Sequence, residues 1–81
     1  MIRKEKYNWI QDDIELDFIP NKALQGLMKE AEEFDLAGDA IGYFTTAEGI
    51  DVYAKASYSR GQITQKQWDD ICDKYPGEER F

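Results

Sequence analysis

The sequence predicts a mainly α domain of three to four helices, led by an N-terminal segment that reads as a short β-hairpin or as an extended arm. Three observations carry this. Two capping-box tetrads, Thr45-Thr46-Ala47-Glu48 and Thr64-Gln65-Lys66-Gln67, each precede apolar residues at helical spacing. A third run, Leu24, Leu27, Met28, Ala31 and Phe34, keeps the i, i+3, i+4, i+7, i+10 spacing of one helix face. Strict apolar–polar alternation, the mark of a half-buried strand, occurs at Ile14-Glu15-Leu16-Asp17-Phe18.

Residues 1–19 hold the two open readings. Tyr7-Asn8-Trp9 could pair with residues 14–18 across Gln11–Asp13. A lone hairpin is marginal unless it packs on helices. The other reading is an arm whose Trp9, Leu16 and Phe18 cover the bundle. Residues 20–75 form the helical core, opened by Pro20-Asn21. The join at residues 35–46 has two solutions. The helix runs on through Gly38 and Gly42, or Gly38 ends it and Asp39 starts a short new one. Each mid-helix glycine costs about 1 kcal/mol against alanine, which favours a break. Gly38-x-x-x-Gly42 also suits close helix approach. Next, Ile50, Tyr53, Ala54, Ser57 and Tyr58 share a face, and Gly61 is placed to end that helix in a left-handed turn. The last helix spans 65–75. Thr64 caps it, Ile63 and Trp68 form a hydrophobic staple, and Pro76-Gly77 stops it. Residues 76–81 are a tail.

The length of 81 residues fits one domain, 1–81. A core this small is marginal without help. The chain has one cysteine and no histidine, so neither an internal disulfide nor an ordinary zinc set is expected. No secretory h-region and no membrane-length apolar run are present, which points to the cytoplasm. A net charge of −7 argues against direct binding of nucleic acid or an anionic membrane.

That charge is concentrated. Residues 12–51 carry eleven acids against two bases, a net of −9, while residues 1–11 sum to +2 and residues 52–81 to zero. Like-charge pairs at i, i+3 and i, i+4 on a helix destabilise it slightly, and a surface shaped only for solubility interleaves its signs. The expected partner is therefore a basic protein, such as a nuclease or another nucleic-acid-binding protein. The expected contacts are Asp13, Glu15, Asp17, Glu30, Glu33, Asp35 and Asp39. Trp9 and Tyr43 would serve as aromatic anchors if exposed. A homo-oligomer is compatible with the same features.

Catalytic and metal readings are weaker. Asp13-x-Glu15-x-Asp17 imitates the start of a calcium loop, but Phe18 stands where the loop needs glycine and the closing glutamate is missing. Every acid lies beside polar residues at exposed-looking positions, so none is expected to be raised in pKa by burial. Cys72 is flanked by Asp69, Asp70 and Asp73, which disfavour a thiolate. The expectation is no enzyme, no cofactor and no metal; a carboxylate-dependent hydrolase is a remote alternative.

Two resemblances add to this. Gly61-Gln62-Ile63-Thr64 followed by Trp68 and Ile71 looks like the helical hairpin that closes many small bacterial and phage proteins, and its meaning is capping. In overall character the chain is similar to small acidic inhibitors encoded by phages and mobile elements, of the anti-CRISPR or anti-restriction type. That resemblance is one of type: it implies an inhibitor, transfers no individual residue and names no nuclease, while imitation of nucleic-acid phosphates is read from the clustered carboxylates. The alternative is an antitoxin or adaptor that acts through an aromatic face.

Overall fold

The computed structural model describes residues 7–18 and 21–77. It contains three helices, α1 (Lys22–Ala37), α2 (Ala40–Ser59) and α3 (Gln65–Lys74), and no strand among the described residues. The fold is thus mainly α, with three helices rather than four. Pro20, the basic residues Arg3, Lys4 and Lys6, and the tail from residue 78 lie outside the described residues.

Asn21 caps α1: its side-chain oxygen accepts the Leu24 amide at 3.0 Å. Its amide group donates to Ser57 Oγ at 3.0 Å, which ties the start of α1 to the end of α2. The expected stripe faces inward. Leu24, Met28 and Ala31 are buried, and Leu27 and Phe34 pack half-buried beside them. The helix ends at Gly38, whose φ of 73° is a left-handed conformation open to glycine. The Gly38 and Asp39 amides then reach back to the carbonyls of Asp35 and Phe34.

Asp39 immediately starts α2, its side chain accepting the Gly42 amide at 3.0 Å. The helix then runs unbroken for 20 residues. The helix start expected at Thr45 is therefore incorrect. Thr46 is an interior residue whose hydroxyl donates to the Gly42 carbonyl one turn back, at 2.9 Å. The true cap lies upstream, because Gly38 releases the chain early enough for Asp39 to act. Gly42 has a packing role after all: a methyl group there would overlap the Phe34 ring of α1.

Gly61, with φ 76°, makes the second left-handed turn. Thr64 and Gln67 then form the full reciprocal capping box, at 3.1 and 2.8 Å. α3 buries Ile71 and ends at Lys74, one residue before the expected stop.

The N-terminal segment is an arm, not a hairpin. It first crosses the C-terminal end of α1, then lies against α3. The Gln11 amide donates to the Lys74 carbonyl at 2.9 Å, and Lys74 Nζ donates to the Ile14 carbonyl at 2.8 Å. Ile10 is buried, and Trp9, Leu16 and Phe18 pack against the core as half-buried side chains. A strand pairing is absent because the amides of residues 8–10 are already taken, by a carboxylate.

Candidate functional site

That carboxylate is Asp35, and it changes the composition of the expected docking surface. Its helical position explains its burial. Asp35 follows Leu24, Met28 and Ala31 at i+11, i+7 and i+4, so it continues the core stripe. Its side chain is wholly inaccessible to solvent. Oδ1 accepts the Asn8 amide, and Oδ2 accepts the amides of Trp9 at 2.8 Å and Ile10 at 2.9 Å. Asn8 Nδ2 donates to the Asp35 carbonyl at 2.7 Å. A buried carboxylate is tolerable when amides satisfy it, and here three do so. Asp35 is therefore a clamp for the arm and is removed from the expected partner contacts. The expectation that every acid sits at the surface fails at this residue.

Tyr43 is likewise corrected. It is fully buried, and its hydroxyl donates to the Pro76 carbonyl at 3.1 Å. Burial, then the nearby Asp35 and Tyr75, pushes its phenol above the ordinary 10.0. Tyr75 is raised in the same sense by burial first, then by Glu32. Trp9 stacks on Tyr43 with ring centroids 5.1 Å apart, and Phe44 meets both rings. The condition for their acting as anchors is thus unmet at buried Tyr43, and half-buried Trp9 joins it in a cluster that seats the arm beside Asp35.

The other acids remain outside. Asp13, Glu15 and Asp17 are exposed on the arm, Glu30 and Glu33 on α1, and Asp39 at the α2 cap. Glu30 and Glu33 are one helical turn apart and share a side. Asp39 belongs to the next helix and Asp35 faces the core, so Glu30, Glu33, Asp35 and Asp39 do not share one helical side. In all, nine of the eleven acids in residues 12–51 are exposed; Glu32 is half-buried and Asp35 buried. The block's two bases, Lys22 and Lys29, are exposed as well.

Cys72 lies beside α2, with Sγ donating to Asp51 Oδ1 at 3.1 Å. The same oxygen accepts the Trp68 indole N–H at 3.2 Å, and Trp68 stacks on Tyr58. This small cluster pins α3 to α2 through an acid that sequence reasoning counted only as charge. Among the described residues no group of three or more Cys, Asp or Glu side chains converges as a metal site. No helix there is long and apolar enough to cross a membrane. A shallow groove of about 470 Å³ runs between the start of α1 and the end of α2, lined by Asn21, Ala23, Val52, Tyr53, Ala56 and Arg60 among others. Protein-family models, curated proteins and solved structures offer no match to this chain.

Proposed function

We propose that this chain is a non-enzymatic, acidic protein-binding module that docks on the basic surface of a nucleic-acid-binding protein and excludes nucleic acid from it. The observation that carries this reading is the exposure of nine acids with only two bases among forty residues. Exposed carboxylates on α1, on the arm and at the α1–α2 corner would draw the chain to a Lys/Arg-lined groove. Glu30 and Glu33 supply the helical part, and Asp13, Glu15 and Asp17 the arm part. Asp39 contributes from the corner between α1 and α2. Inhibition of that partner, as the resemblance to small acidic phage inhibitors implies, is the form this reading takes. An adaptor or antitoxin acting through an aromatic face has less support, because Trp9, Tyr43 and Phe44 pack against one another.

Competition tests the proposal. Binding to a basic nuclease should weaken steeply with added salt and be mutually exclusive with nucleic acid. Glu30→Gln with Glu33→Gln should weaken binding and flatten the salt dependence. A ternary complex with nucleic acid bound at undiminished affinity would overturn the mimicry.

A further inference from the structure

The helix least burdened with charge presents a bare face. α2 carries three charged residues in twenty, against six in sixteen on α1. Among the described residues, α1, α3 and Trp9 of the arm pack on α2 and leave one face of it open. Ile41, Thr45, Glu48, Val52, Lys55 and Ser59 recur at alternating spacings of four and three, and all are exposed. Ile41 is 82% and Val52 63% exposed, with Tyr53 at 50% beside them. This is the seam spacing of a two-helix pair, occupied here by two apolar residues, Ile41 and Val52, two hydroxyls and two opposite charges. The seam's two charges are opposite, and neither Glu48 nor Lys55 has an ion-pair partner among the described residues.

We propose that this face of α2 pairs antiparallel with the same face of a second copy of the chain. The argument is charge self-complementarity. Consider a two-fold axis crossing α2 midway between Glu48 and Lys55. Each Glu48 then lies opposite the second copy's Lys55, and Val52 falls beside the axis, facing its own counterpart. Such an isologous contact satisfies both charges twice and covers the exposed valines. The groove next to Val52 and Tyr53 leaves room for side chains at the edge of the contact. The acids of the arm and of α1 belong to other elements, so a dimer would display two acidic surfaces.

Light scattering coupled to gel filtration, run on the full chain across about 10 μM to about 1 mM, reads this directly, since weak pairs populate in that range. The mass should rise with concentration towards twice the monomer. Val52→Glu and, separately, Glu48→Lys should hold the protein monomeric throughout. Glu48→Lys combined with Lys55→Glu should restore the rise, because the pairing is merely reversed. All three positions are exposed, so unchanged circular dichroism, and unchanged melting at the low end of that range where wild type is monomeric, are expected for each variant. A wild-type mass that stays monomeric to the highest concentration, a Glu48→Lys variant that associates like wild type, or a double variant that stays monomeric would overturn the proposal.

Discussion

Glu33 and Asp35 stand two residues apart on one helix, in one acidic block, and do opposite things. Glu33 faces solvent with Glu30 one turn before it, where the two repel. Asp35 faces the core and holds three amides of the arm. The difference is 200° of helical rotation. Composition alone treats both as the same negative charge. Geometry makes one a surface feature that slightly destabilises the helix and the other a clamp on which the fold of the arm depends.

The clamp should produce the largest effect. Asp35→Ala leaves the Asn8, Trp9 and Ile10 amides without their acceptor. Unsatisfied buried donors cost about 1–3 kcal/mol each, so the expected loss is about 3–5 kcal/mol after partial relaxation. Urea denaturation of the variant checks this. Trp9→Ala removes the ring stacked on Tyr43 and should cost about 2–3 kcal/mol by the same measurement, less than a fully buried aromatic because Trp9 is half-exposed. Its effect should be far from additive with Asp35→Ala, since both release the same arm.

Alkaline titration probes the same corner. Tyr43 and Tyr75 have phenols raised above 10.0 in the folded state. The unfolded chain therefore loses those protons first. Their contribution is fully present below pH 10 and is lost as pH rises beyond it. Melting temperature should hold up to that point and then fall, and Tyr43→Phe should fall less steeply. A Tyr43→Phe variant with an unchanged alkaline slope would remove Tyr43 from the cause. Smaller still is Thr64→Ala, at about 1 kcal/mol, because its capping box is exposed and local. Chemical denaturation should resolve it without any change in exchange of the arm amides.

The same contrast explains what was legible in the sequence. α3 was readable because each of its signals lies within four residues of the one before: Thr64, Gln67, Trp68, Ile71 and Tyr75. The Gly38–Asp39 break was readable as one of two local solutions. Thr45-Thr46-Ala47-Glu48 misled because a capping tetrad inside a helix looks the same as one at its start; only Asp39 decides between them. The arm was readable only as one of two solutions beside a hairpin, since the partner that decides between them lies 25 to 27 residues away. A signal for Asp35 existed, at i+4 from Ala31 and i+7 from Met28. Its identity as an acid concealed it, because a charged residue on a core stripe is the rarer case. Among the candidate docking residues, Glu30, Glu33, Asp13, Glu15, Asp17 and Asp39 are exposed as that reading requires, while Asp35 and Tyr43 are not.

Paired thermal melts of Glu33→Gln and Asp35→Asn test the division most directly. Each change removes one carboxylate and preserves size. Glu33→Gln relieves repulsion, so its midpoint should equal or slightly exceed that of wild type. Asp35→Asn turns an acceptor oxygen into a donor facing amide donors, so its midpoint should fall by many degrees. Equal midpoints for the two variants would contradict the assignment of Asp35 as the clamp and return it to the surface set.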